Sequence, residues 1–207
     1  MSRPDSMPPL AGLVLAGGQS RRMGQDKANL VYRGSGDPQW MTTAGLLRAF
    51  CSPVWISIRR GQELVGTVPE GMAMVEDGPE SMGPLSGMLA AASRLPGHAW
   101  LVVACDLPLV TVEVLGQLVD GRGGASVVAY RSAHDGLPEP LCSIYEPSMM
   151  LRLERALKEG LRCPRKILIH HSSVVQLLDL ADANALENAN TPEEHNRLNG
   201  YLRSRSR

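Results

Sequence analysis

The sequence predicts an α/β fold with helices on both faces of a mostly parallel sheet, and three observations predict it. Strand-like and helix-like runs alternate over much of the chain, as in repeated βαβ units. The strand-like runs are near-continuous Val, Ile, Leu, Trp and Ala stretches, the pattern of strands covered on both faces. With 43% hydrophobic and 20% charged residues over 207 positions, the chain can bury one sizeable core.

In chain order, the predicted strands are 13–15, 54–58, 72–75, 100–104 and 126–130, with helices over 41–50, 85–94 and 112–119. In the helix at 85–94, Leu85, Met88, Leu89 and Ala92 form one stripe suited to packing on a sheet. The second half is less regular: a strand at 141–145, a helix over 147–159 and a short one opening at Pro164 form an acceptor-binding portion of the same domain. Near the end, Thr191 as N-cap, Pro192 at the first helical position and Glu194 three residues after the cap mark another helix start. These elements make one domain over 11–202, between a disordered segment at 1–10 and a frayed basic tail at 203–207.

Composition excludes several functions. Lys and Arg total 21, as do Asp and Glu, so no global field draws nucleic acid or an anionic membrane. The longest apolar run, 99–105, is too short to span a bilayer, and residues 1–10 lack the apolar core of a secretory signal. A soluble cytoplasmic protein is the expectation. Four scattered cysteines and five histidines without ligand spacing predict neither disulfides nor zinc, and Cys105 reads as a small apolar core residue.

The chemistry concentrates where the first strand ends. Leu15 runs into Ala16-Gly17-Gly18-Gln19-Ser20-Arg21-Arg22-Met23-Gly24-Gln25-Asp26-Lys27. Gly17 and Gly18 allow main-chain N–H groups to approach an anion, and Arg22 and Lys27 add full positive charge. The spacing meets neither the Walker A pattern nor the dinucleotide fingerprint, so the predicted guest is a polyphosphate held another way. Arg22 suits forked contacts with phosphate oxygens, and Lys27 a mobile point charge.

In an open α/β sheet, ligands sit beyond the carboxyl ends of the strands, which singles out two further residues. Asp106 emerges from the most hydrophobic strand and suits Mg²⁺, in preference to merely capping the turn that follows. Asp77 precedes Gly83-Pro84-Leu85-Ser86-Gly87 and could accept hydrogen bonds from a ribose or a base. Gly83 and Gly87 leave room there for nucleotide or acceptor, although helix initiation by Pro84 also accounts for that stretch.

The segment 15–27 resembles the Leu-Ala-Gly-Gly-x-Ser-x-Arg-Met-Gly-x-Asp-Lys signature of nucleotidyltransferases that activate small molecules with a nucleoside triphosphate. With Asp77, Gly83 to Gly87, Ala104-Cys105-Asp106-Leu107-Pro108 and Asn188-Ala189-Asn190-Thr191-Pro192-Glu193-Glu194, it is similar in order and spacing to the molybdenum cofactor guanylyltransferases. The resemblance implies a Rossmann-like three-layer fold of the nucleotide-diphospho-sugar transferase type. It implies transfer of GMP from Mg·GTP to the terminal phosphate of molybdopterin, with release of pyrophosphate.

By the same resemblance Leu15, Ala16, Gly17, Gly18, Arg22, Lys27, Asp77 and Asp106 bind the nucleotide, and Lys27, Arg22 and Asp106 carry catalysis. Asp106 holds Mg²⁺, while Gly83, Gly87, Asn188 and Asn190 lie on the acceptor side; the two asparagines read equally as a hydrogen-bonded turn before Thr191. Protein partners implied are cofactor biosynthesis proteins and apo-molybdoenzymes or their chaperones, with no nucleic acid and no membrane. In one place the chain departs from the pattern: after the second strand, where the family usually has asparagine, Arg59 stands in Val54-Trp55-Ile56-Ser57-Ile58-Arg59-Arg60. Arg59 has no acceptor, which leaves the base open. A cytidylyltransferase, another transferase using a different phosphorylated acceptor, and a nucleotide-binding accessory protein are the alternatives.

Overall fold

A computed structural model describes residues 7–18, 23–32, 36–78 and 83–205. Its strands are β1 (Leu10–Leu15), β2 (Val54–Ile58), β3 (Met72–Glu76), β4 (Ala99–Ala104), β5 (Val127–Arg131), β6 (Pro138–Tyr145) and β7 (Val175–Leu178). The helices are α1 (Gln39–Leu47), α2 (Pro84–Arg94), α3 (Val112–Asp120), α4 (Pro147–Lys158), α5 (Pro164–His170) and α6 (Pro192–Arg205). The strands form one sheet in the order β3-β2-β1-β4-β6-β5-β7, parallel except for β6, which runs against both β4 and β5.

Strand alternation splits the core between two faces. Ala11, Leu13 and Leu15 of β1 and Trp100 and Val102 of β4 pack with Leu85 and Met88 of α2, Leu153 of α4 and Ile167 of α5. Val14, Leu101 and Val103 point the other way, against Trp40, Ala44 and Leu47 of α1 and Leu115 and Leu118 of α3. Gly12 permits α1 to lie close: a Cβ there would sit 3.2 Å from side-chain atoms of Leu47, Cys51 and Val54. On α2 the fully buried residues are Leu85, Met88 and Ala91, while Leu89 and Ala92 are half-buried at the edge of the predicted stripe.

Two elements differ from expectation. β7 is a short, half-buried edge strand beside β5, in a stretch with no clean alternation, and its pairing rather than its sequence pattern makes it a strand. α6 continues to Arg205, through residues expected to fray. Leu198 and Leu202 bury themselves with Met23, Leu30, Tyr32, Leu109 and Ala189 in a third apolar cluster, which holds the last turns in helical register.

The topology locates the site. From β1 the chain steps outward through β2 and β3, then crosses back to place β4 on the other side of β1. The loops after β1 and β4 therefore diverge across a crevice, the switch point where open α/β sheets bind ligands. Pairing of Leu15 with Ala104 sets Ala16 and Gly17 beside Cys105 and Asp106.

Candidate active site

A cavity of about 220 Å³ opens at this switch point, lined by Leu15, Ala16, Gly17, Gly18 and Lys27 from the first loop, Ser57 and Asp77 from β2 and β3, Gly83 and Pro84 from the start of α2, and Ala104, Cys105 and Asp106 after β4. Lys27 begins a 3-10 turn, Lys27–Asn29, whose cap is Asp26: the Asp26 carboxylate accepts from the Ala28 N–H at 3.1 Å. Nζ of Lys27 donates to Oδ2 of Asp106 at 3.2 Å and to Oδ1 of Asn190. The two charges are partly screened from solvent, with side-chain exposures of 16% for Lys27 and 25% for Asp106. Arg22, with Arg21, lies outside the described residues.

Asp77 is held differently. It is 8% exposed, and its Oδ1 accepts from the Ser57 hydroxyl. Loss of solvent pushes its carboxyl above the usual carboxylate range, an effect that the Ser57 hydrogen bond partly offsets. Two glycines make room for this pair. A Cβ on Gly17 would stand 2.7 Å from Oδ2 of Asp77, and one on Gly87 would collide with the Ser57 hydroxyl and lie 2.8 Å from Oδ1 of Asp77. Gly87 thus packs beneath Ser57 and Asp77. Gly83 has φ 76°, a backbone conformation that glycine adopts without strain, and it turns the chain into α2 so that the helix's positive end faces the cavity.

A second groove, of about 510 Å³, adjoins the first along Pro84, Asp106 and Leu141 and runs past Arg162, Cys163, Arg165 and Asn188. The strands thus bring together Gly17, Gly18, Lys27, Asp77, Gly83 and Asp106, with Asn188 in the adjoining groove and Asn190 against Lys27. Asn188 and Asn190 are also bonded to each other, Nδ2 of Asn190 donating to Oδ1 of Asn188 at 2.9 Å, so the turn and the site are one construction.

Two contributors were not legible as site residues. Ser57 faces the cavity because β2 alternates and its fourth residue points toward Asp77, just after β3. Its neighbour two positions on, Arg59, directs a guanidinium N–H to Asp26 at 3.3 Å and stays out of the cavity lining. Gln62 is 7% exposed, and its amide donates to Ala16 O at 2.9 Å and to Oδ2 of Asp26 at 2.8 Å, which ties both ends of the first loop to the turn after β2. No motif marks it; a buried glutamine is visible only in three dimensions.

Cys105 lies in the cavity wall but is buried, and desolvation, reinforced by Asp106 and Asp26, pushes its thiol far up, so it stays protonated as a packing residue. Among the described residues no group of three or more His, Cys, Asp or Glu side chains could enclose a metal ion. Of the described residues that line both cavities, Asp106 is the one with a carboxylate. That is compatible with Mg²⁺, which commonly takes one or two protein carboxylates and completes its shell with water and substrate phosphates. Among the described residues, no helix is long and apolar enough to cross a membrane.

Residues 12–174 match the MobA-like NTP transferase domain family. The chain is 37% identical over 195 residues to a molybdenum cofactor biosynthesis bifunctional protein of Synechocystis sp.; the match covers 94% of this chain and 55% of that one, so the chain spans about half of that relative's length. It is 33% identical to a probable molybdenum cofactor guanylyltransferase of Mycobacterium ulcerans, over 88% of this chain and 89% of the relative. In fold it resembles the molybdopterin-guanine dinucleotide biosynthesis protein A of Archaeoglobus fulgidus, with a TM-score of 0.71 at 22% identity over 94% of this chain and 99% of the other. By the first of these matches, which covers well over half its length, the chain belongs to the MobA-like NTP transferase family.

Proposed function

We propose that the protein transfers GMP from GTP to molybdopterin, forming molybdopterin guanine dinucleotide and pyrophosphate. The observation that carries this reading is the junction of the two cavities at Asp106, which is paired with Lys27: a crevice beside the glycine turn and an adjoining groove meet at one charged edge. The names of the relatives support the choice of donor and acceptor.

In this reading the turn at Ala16, Gly17 and Gly18, together with Arg22, holds the triphosphate. Asp77, steadied by Ser57, accepts hydrogen bonds from the guanosine. Lys27 sits where negative charge grows on the α-phosphate as the acceptor phosphate attacks in line and pyrophosphate departs; such aimed cations act most strongly in a water-poor site. Asp106 would hold Mg²⁺, which when bound neutralises charge on the triphosphate. Asn188 and Arg162 line the groove for an anionic pterin phosphate, beside Arg165, which is paired with Asp135 and Glu139, and Gly83 with Pro84 forms the edge of the crevice where the two cavities adjoin. Hand-over of the product would bring in cofactor biosynthesis proteins and apo-molybdoenzymes or their chaperones.

The test is incubation of the protein with molybdopterin, Mg²⁺ and each of GTP, CTP, ATP and UTP, with pyrophosphate release followed and the product weighed by mass spectrometry. The expected result is turnover with GTP and a product heavier than molybdopterin by one GMP residue. Turnover with CTP alone would make it a cytidylyltransferase. Nucleotide binding without pyrophosphate release from any donor would make it an accessory protein.

A further inference from the structure

The capping sequence before α6 does more than start a helix. Oε2 of Glu194 accepts from two successive backbone N–H groups, that of Asn190 at 2.6 Å and that of Thr191 at 3.1 Å, while the Glu194 N–H donates back to the Thr191 hydroxyl at 3.3 Å. One residue earlier, the Ala189 N–H donates to the Asp106 carbonyl at 3.1 Å. The segment is pinned at both ends, and between the pins the Asn190 side chain presents Oδ1 to Nζ of Lys27 and Nδ2 to Asn188. α6 is anchored in turn on the chain that follows Lys27: His195 packs edge-on against Tyr32 with ring centroids 4.6 Å apart, and Leu198 and Leu202 bury against Leu30 and Met23.

From this chain of contacts we infer that Glu194 is a positioning residue for Lys27, acting through Asn190. The inference rests on the reading of Lys27 as the cation that meets the triphosphate. An amide oxygen suits the task, because it directs an ammonium group without neutralising it and releases it to phosphate more readily than a second carboxylate would. A glutamate at the third helical position can satisfy cap N–H groups in any helix; here one of the two it satisfies belongs to the residue that touches Lys27. A small displacement of Lys27 is enough to matter, since misplacement by about 1 Å can cost on the order of a hundredfold in rate.

The experiment compares Glu194→Ala, Glu194→Gln, Asn190→Ala and the Glu194→Ala/Asn190→Ala double variant with wild type, reading kcat, KM for GTP and the melting temperature. Glu194→Ala is expected to lower kcat roughly ten- to hundredfold with little change in KM. Glu194→Gln, whose single amide oxygen can accept both N–H groups, is expected to recover most of that loss. The double variant is expected to be no slower than Asn190→Ala, because the two residues lie on one path. A Glu194→Ala protein at wild-type kcat, a glutamine variant as slow as the alanine one, or losses that multiply in the double variant would each overturn the inference. Were wild type itself inactive with every donor, the functional reading would fall, and the Lys27 side-chain ammonium resonance would decide the positioning role separately. It is expected to shift alike in Glu194→Ala and Asn190→Ala, and an unmoved signal in Glu194→Ala would refute the role.

Discussion

Two carboxylates follow parallel strands of the same sheet and are held in opposite ways. Asp106, after β4, keeps a quarter of its side chain in solvent and faces the Lys27 ammonium at 3.2 Å. Asp77, after β3, is almost sealed, bonded to the neutral hydroxyl of Ser57, and pushed toward its protonated form by burial. On the proposed function, the difference separates two tasks. A group that must handle metal and phosphate charge needs a countercharge and access to water. A group that recognises a nucleoside gains from a dry, shaped wall in which each hydrogen bond counts for more.

The largest expected effect breaks the Asp106 side. Asp106→Asn should lower kcat/KM by on the order of 10³ or more, because it removes the carboxylate proposed for Mg²⁺ and the charge partner of Lys27 together. Steady-state kinetics across a Mg²⁺ titration checks this, and a variant that merely needs more Mg²⁺ would sharpen the assignment to a metal ligand. Lys27→Ala should cost about 10²–10³, mostly in kcat. Equal losses in GTP affinity and in kcat would instead mean that Lys27 holds the ground state as firmly as the transition state.

Next in size is a change that crowds the Asp77 side without touching its chemistry. Gly87→Ala places a methyl group against the Ser57 hydroxyl and 2.8 Å from Oδ1 of Asp77. Overpacking of this kind costs about 1–3 kcal/mol of stability, and it should also weaken GTP binding by displacing Asp77. Thermal unfolding and calorimetric titration with GTP measure the two effects. Gly45→Ala, in α1 and outside the cavity lining, is the control, since a Cβ there meets nothing within 4 Å.

The two sides were unequally legible in the sequence. Asp106, Lys27, Gly17 and Gly18 stand in local motifs at the ends of apolar strands, but the Leu15–Ala104 pairing that joins them is a crossover past β2 and β3 that alternation alone does not specify. The pairing of Ser57 with Asp77 spans twenty positions and two strands, and it depends on register; reading along the chain drew attention to Arg59, which turns instead to Asp26. Gln62 was invisible for the same reason, because its partners Ala16 and Asp26 are distant in sequence. The helix at Thr191 was plain from its cap, but that the cap also steers Asn190 toward Lys27 required coordinates. β7 was missed because an edge strand borrows its conformation from the partner it joins.

The smallest effect concerns stability and puts the comparison to its sharpest use. A carboxyl whose folded-state pKa is raised binds its proton more tightly folded than unfolded, so it costs the native state stability as pH rises above the unfolded value near 3.8. Replacing Asp77 with asparagine removes the desolvated charge while keeping an oxygen that can accept from Ser57. The Asp77→Asn protein should therefore bind GTP more weakly yet melt at a higher temperature than wild type, and its advantage should be larger at pH 8 than at pH 4, where the wild-type carboxyl is already partly protonated. Melting curves across that range, set beside GTP affinities, test both halves. A variant less stable than wild type at pH 8 would mean that the Ser57 bond outweighs desolvation, and that Asp77 is built as firmly around its charge as Asp106 is.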